Sequence, residues 1–201
     1  QKQRADLINV LLNQYENVID INLVDVDLKS PLHYAVIFGF DPEIVKLLLE
    51  TNKCNINSKD IVENTALHYA CVYGKIELIK QFIQYENSHP NSVDFNAQNN
   101  LGQTPLHKVA QSKRFDVKIN PNIKDNNGNT PLHVACSNGN ISFIISLIEM
   151  SPIEIDINSI NMKYQTPLYI ACMRNDSNLF DALYQSKQGP QIDVNLTSPV
   201  Y

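Results

Sequence analysis

The stretch Asn129-Thr130-Pro131-Leu132-His133-Val134-Ala135-Cys136-Ser137-Asn138-Gly139 reads as a short helix with both its start and its stop written in. A Thr N-cap accepts a backbone N–H, and Pro at the first helical position lacks a donor that would have no partner there in any case. Ala135 and Cys136 are small enough to let another helix lie close, and Gly139 supplies the left-handed residue that ends a helix. Thr, His and Cys within seven residues also invite an active-site reading.

Recurrence removes that reading. Versions of the stretch stand at Ser30-Pro31-Leu32-His33, Thr65-Ala66-Leu67-His68, Thr104-Pro105-Leu106-His107 and Thr166-Pro167-Leu168-Tyr169. Small apolar pairs follow each: Ala35-Val36, Ala70-Cys71, Val109-Ala110 and Ala171-Cys172. Gly39 and Gly74 repeat the stop and Asn175 can substitute for it, while Lys113 stands at that position in the third copy. Thr130 then caps, Pro131 starts, His133 ties and Cys136 fills, which leaves Ser137 and Asn138 as the side chains of the stretch free to meet a partner.

The pattern T-P-L-H-x-A-A-x-x-G, followed by an apolar helix and an Asn-containing turn, resembles the ankyrin repeat. The resemblance covers nearly the whole chain and implies an all-α solenoid of stacked helix-turn-helix units with β-hairpin-like turns. It organises residues 1–201 as a single ankyrin-repeat domain. A partial repeat occupies 1–24, repeats follow at about 25–57, 60–96, 99–122, 125–158 and 161–195, and a tail at 196–201 opens a further copy at Ser198-Pro199. Residues 4–15 set Leu7, Ile8, Leu11 and Leu12 at helical spacing, an outer helix without its inner one, so the sequence is expected to begin inside a longer array.

The outer helices supply the core through Ile44, Val45, Leu47, Leu48 and Leu49, then Ile76, Leu78, Ile79, Phe82 and Ile83. Later units use Ile141, Phe143, Ile144, Ile145, Leu147 and Ile148, then Leu179, Phe180, Leu183 and Tyr184. Tyr85 to Asp94 reads as a long polar surface loop marked by Ser88 and Pro90. Successive caps at 30, 65, 104, 130 and 166 are 35, 39, 26 and 36 residues apart, so the third unit lacks about one helix. Either the deletion is natural or a segment between about Lys113 and Asp116 is absent from this sequence. The second is preferred, because exposing neighbouring leucines costs about 25 cal/mol per Å².

Composition narrows the chemistry. The net charge of −5 gives no electrostatic footprint for nucleic acid or anionic lipid and mildly favours basic partners. No apolar run approaches the roughly 18 residues that span a bilayer, so no membrane insertion is expected. Cys71, Cys136 and Cys172 share one repeat position, about 10 Å apart if stacked as packed helices are, too far for a disulfide. They read as buried thiols of a reducing, cytoplasmic compartment, and Cys54 as an exposed thiol in a turn.

His33, His68, His107 and His133 recur once per unit, unlike the compact spacing of zinc motifs. In the ankyrin family this His bonds within and between units. No nucleotide-binding or hydrolase motif occurs, and the acidic pair Asp25 and Asp27 falls on a turn that Asp stabilises. No catalytic residue, metal, cofactor or small-molecule substrate is expected. Asn57, Asn96, Asn122, Asn158 and Asn195 share one register and read as turn residues bonding nearby backbone or adopting left-handed conformations. The resemblance also permits asparaginyl hydroxylation there. The glycosylation sequons at Asn140 and Asn195 are discounted for a cytosolic solenoid.

What varies between copies is where a partner would bind. In ankyrin-like arrays the turn tips and the exposed sides of the inner helices form a concave face. Here those positions gather bulky residues toward the ends: Val26, Ile37, Phe38, Ile61, Val62, Val72 and Tyr73, then Met162, Tyr164, Met173 and Arg174, with amides between. Ile37, Phe38, Val72 and Tyr73 are the expected anchors, unless they pack on a neighbouring repeat. The resemblance implies a non-catalytic protein-binding scaffold within a larger intracellular protein. Alternatives are the regulatory or substrate-targeting arm of a kinase, ubiquitin ligase or GTPase-activating protein, and a spacer. The identity of the protein partner is not written in the sequence, because ankyrin surfaces share no ligand motif.

Overall fold

The computed structural model describes residues 6, 10, 14, 19–39, 41–109, 120–151, 153–186 and 191–194. Two compact units divide the chain, Gln1–Asn100 and Leu101–Tyr201. The first holds α1 (Pro31–Ile37), α2 (Pro42–Glu50), α3 (Ala66–Val72) and α4 (Ile76–Ser88). The second holds α5 (Pro105–Val109), α6 (Pro131–Asn138), α7 (Ile141–Met150), α8 (Pro167–Met173) and α9 (Ser177–Tyr184). Inner helices pack on inner helices, α1 on α3 and α6 on α8, and outer on outer, α2 on α4 and α7 on α9. This is the repeat stacking of a solenoid, and no strand occurs among the described residues. The apolar face expected over residues 4–15, the short segment after Val109 and the further copy at Ser198-Pro199 lie outside the described residues.

Small side chains set the close approach of the inner helices: Ala35, Ala70, Ala135 and Ala171 are all buried. The outer helices bury apolar residues at i, i+1, i+4 and i+5, as Ile44, Val45, Leu48 and Leu49 in α2 and Phe143, Ile144, Leu147 and Ile148 in α7. The expected core is too generous at its margins. Ile76, Ile145 and Tyr184 are exposed and Leu47 is half-buried, because a helix turned by 3.6 residues offers one flank of an apolar run to solvent. Helix α4 also continues through Tyr85 to Ser88, so the polar loop is shorter than expected. The Glu86 carboxylate accepts the amides of Asn91, Ser92 and Val93 at 2.7, 3.0 and 2.8 Å, which folds that loop back onto the helix.

At the inner-helix starts the expected cap is present, with the Ser30, Thr65 and Thr130 hydroxyls accepting from the backbone of the third helical residue, and the side chain of that residue adds a second bond. Ser30 Oγ lies 2.8 Å from His33 Nδ1, and the Ser30 amide donates to the same nitrogen at 3.1 Å. Thr65 with His68, Thr104 with His107 and Thr130 with His133 repeat this pair of contacts. The third helical residue therefore reaches back to the cap amide as Glu does in a capping box, and the hydroxyl faces the ring. In the last copy Tyr169 replaces His, and Thr166 Oγ1 accepts from the Tyr169 amide at 3.1 Å.

The turn asparagines do something larger than cap a loop. Asn57 donates from Nδ2 to Ser92 O at 2.8 Å and accepts at Oδ1 from the Asp94 amide at 2.9 Å. Asn122 clasps Glu154 O and the Asp156 amide in the same way, and Asn158 clasps Gln191 O and the Asp193 amide. Asn22 does so with Lys53 O and the Asn55 amide. Each carboxamide thus clamps one repeat to the next, because it is a donor and an acceptor at once. Left-handed positions lie elsewhere, at the helix stops Gly39, Gly74, Gly139 and Asn175 and at the hairpin tips, where Leu28, Glu63, Gly102, Gly128 and Tyr164 have φ between 58 and 77°.

Those tips also carry backbone bonds between repeats, Ile61 N to Asp27 O at 2.9 Å, Asn126 N to Leu101 O at 3.0 Å and Met162 N to Asn127 O at 2.9 Å. The approach is so close that a Cβ at Gly128 would stand 2.8 Å from Met162 N. Gly128→Ala combines this collision with a left-handed backbone, and it is expected to lower unfolding free energy by about 2 kcal/mol in urea titration. Asn122→Ala, which removes both bonds of one clamp at a partly exposed site, is expected to cost about 1 kcal/mol in the same measurement. Asn122→Asp is expected to cost more, since a carboxylate cannot donate to Glu154 O.

Candidate functional site

Two surfaces gather the residues singled out in the sequence. In the first unit Val26 is 93% exposed, Phe38 62% and Ile61 60%, which leaves large apolar area in water at hairpin tips and at the end of α1. Val62, Val72 and Tyr73 are also exposed, whereas Ile37 is half-buried. Phe38 stacks on Tyr34 with ring centres 5.6 Å apart, and Tyr73 stacks on Tyr69 at 6.2 Å. The His33 ring meets Tyr69 edge-on at 6.1 Å. The Phe38 and Tyr73 rings are therefore braced rather than loose.

Tyr34 and Tyr69, which hold these rings, are positions that the sequence reasoning missed. The signal was present, since His-Tyr-Ala occurs at 33–35 and again at 68–70. The Tyr34 hydroxyl donates to Asp25 and the Tyr69 hydroxyl to Asp60. Asp25 and Asp60 each use their other oxygen to accept two amides of their own hairpin, Asp27 and Lys29 in the first, Val62 and Asn64 in the second. One carboxylate thus fixes both a turn and an aromatic ring. The Tyr34 hydroxyl, then the Lys29 amide, hold the Asp25 carboxyl below its usual range, and the bond to Asp25 raises the Tyr34 phenol. Burial, then the bond to Asp60, raises the Tyr69 phenol. Lys29 bridges Asp27 at 3.2 Å and Asp60 at 3.9 Å, linking the two hairpins.

In the second unit the hairpin tips and inner helices enclose a groove of about 680 Å³. Met162 and Lys163 line it from one tip, Asn127 from the preceding one, and Val134, Ser137, Asn138, Met173 and Arg174 from α6 and the end of α8. Met162 and Met173 are 73% and 70% exposed. Of the residues expected at this end, Tyr164 is exposed but stands outside the groove. Ser137 and Asn138 are not the free side chains of their stretch alone: Val134 also lines the groove, and Asn138 Nδ2 donates to Val134 O at 3.0 Å. Arg174 Nη1 donates to Ser137 O at 2.6 Å, and its guanidinium lies where a Cβ on Gly139 would stand. A stop glycine therefore also makes room for a cation of the next repeat.

The cysteines correct the reading of one shared environment. Cys71 and Cys136 are buried, which raises both thiols, Cys136 to about 12. Cys172 is exposed, because among the described residues no further inner helix covers α8. Cys54 is half-buried rather than exposed, and burial pushes its thiol to about 11. Among the described residues, His, Cys, Asp and Glu nowhere gather in threes that could hold a metal ion. Nor is any described helix long and apolar enough to cross a membrane.

A family model described as ankyrin repeats matches residues 32–118 and 115–198. No curated protein matches the chain.

The histidines set a pH dependence. Their Nδ1 atoms accept from cap amides and so carry no proton, while Nε2 of His33, His107 and His133 donates to Asn64 O, Asn129 O and Gln165 O at 3.0, 2.9 and 3.0 Å. Burial is the largest influence on each and lowers all three from the ordinary value of 6.5. A group depressed on folding stabilises fully above its unfolded value and loses that contribution as pH falls. The urea midpoint is therefore expected to hold from pH 8 to 7 and to drop below about pH 6.5.

Proposed function

From a chain that belongs to the ankyrin-repeat family, we propose a protein-binding module in which the first unit anchors its partner through Phe38 and Tyr73, with Val72, Ile61, Val62 and Val26 around them. Ile37 contributes from a half-buried position at the end of α1. The observation that carries this reading is the exposure of large apolar side chains on a scaffold that does not need them. The clamps, histidine bridges and helix cores are made by other residues, while Phe38 stands 62% exposed and Val26 93%. Such patches on a repeat protein mark interaction surfaces. Met162, Tyr164, Met173 and Arg174 form a second contact region in the other unit.

The braced rings favour binding of this kind. Phe38 and Tyr73 have lost part of their rotamer freedom to stacking before any partner arrives, which lowers the ordering cost of association. Tyr164 holds a left-handed backbone at a position where the two preceding hairpins of its unit use glycine, and retaining a tyrosine there supports a role in contact rather than in folding. The scaffold presents these groups rigidly and performs no chemistry on what it binds.

A partner identified by affinity capture on the intact chain supplies the test. Phe38→Ala with Tyr73→Ala is expected to weaken its binding at least tenfold by calorimetry, while the far-ultraviolet spectrum and urea midpoint change little. Unchanged affinity in the folded double variant would exclude the aromatic anchor.

A further inference from the structure

The groove of the second unit runs against the acidity of the whole chain. Of the side chains lining it, Lys163 and Arg174 are cationic and only Asp125 is acidic. Asp125 is 7% exposed, and its Oδ1 is taken by the amides of Asn127 and Asn129 at 2.9 and 2.8 Å. The Lys163 ammonium makes no hydrogen bond or ion pair among the described residues. Arg174 gives Nη1 to a backbone carbonyl and meets no carboxylate among the described residues. Two cations from different elements, a hairpin tip and the end of α8, thus line one groove with no ion pair to an acid among the described residues.

Resting on the protein-binding reading above, we propose that this groove receives an extended partner segment bearing a carboxylate, drawn to Lys163 and Arg174, next to an apolar side chain that packs on Met162 and Met173. The charge favours an acid, since a carboxylate can accept charge-assisted hydrogen bonds from these cations and displaces no ion pair among the described residues. Arg offers the planar fork that carboxylates match, and its anchor on Ser137 O fixes the guanidinium in advance. Two exposed, polarizable methionine side chains beside the cations provide an adaptable apolar contact. Asn127, Ser137 and Asn138 supply the amide and hydroxyl groups that an extended backbone needs when it leaves water. The partner is thus acidic at this groove although the net charge of −5 favours basic ones at the level of the whole chain.

Selection of a random phage-displayed peptide library on the intact chain tests this whatever the natural partner is. Clones that compete for the groove are expected to be enriched in Asp or Glu next to Leu, Ile or Met. Synthetic peptides of the enriched sequence are expected to bind about tenfold more weakly to Lys163→Gln and to Arg174→Gln, and to lose affinity as salt rises. Because Arg174 also bonds Ser137 O, the Lys163→Gln result decides if Arg174→Gln lowers the urea midpoint. Enriched peptides without carboxylates, or affinity indifferent to Lys163→Gln, would overturn the acidic-partner assignment while leaving a protein-binding face standing. Failure to enrich any clone would count against both readings.

Discussion

Much of this architecture depends on a neutral imidazole used at both of its nitrogens. Nδ1 accepts the amide of the cap residue, which completes a helix start that Pro alone leaves open. Nε2 of the same ring donates to a carbonyl of the following hairpin, His133 to Gln165 and His33 to Asn64. Local structure and the stacking of repeats are therefore coupled through one side chain. Burial enforces the state that makes this possible, because a second proton would occupy the nitrogen the cap amide needs.

Around that bridge the repeats are joined twice more. Asparagine clamps link the turns after the outer helices, and backbone bonds link the hairpin tips, so each repeat meets its neighbour at several levels. These interactions are polar and directional, while the helix cores between them are apolar and tolerant. Their division of labour is what releases the hairpin tips and the inner-helix ends from structural duty. A phenylalanine at 62% exposure or a methionine at 73% is then compatible with a stable stack.

The two surfaces differ because the same register positions carry different chemistry. Tyr34 and Tyr69 in the first unit correspond to Val134 and Ile170 in the second, where the absence of a ring leaves room for a groove. Phe38 and Tyr73 correspond to Asn138 and Arg174, which turns an aromatic face into an amide and cationic one. One scaffold therefore presents exposed apolar side chains in one unit and a cation-lined recess in the other, each described within its own unit.

The sequence by itself determined the helix starts, the glycine stops and the repeat, because periodic burial and cap chemistry are local and recur in register. It also showed that His belongs to the scaffold. Only the tertiary structure decided which partners those side chains find. Asn57 and Asn122 look like turn residues until the next repeat is placed beside them, and Leu28 and Tyr164 give no sign of their left-handed backbone. Bracing of Phe38 by Tyr34, the exposure of Cys172 and the unmatched charge around Arg174 are likewise properties of neighbours about one repeat away or one helical turn across. Burial and hydrogen-bond pairing are set by what stands opposite, and a linear pattern fixes which face a residue occupies but not what that face meets.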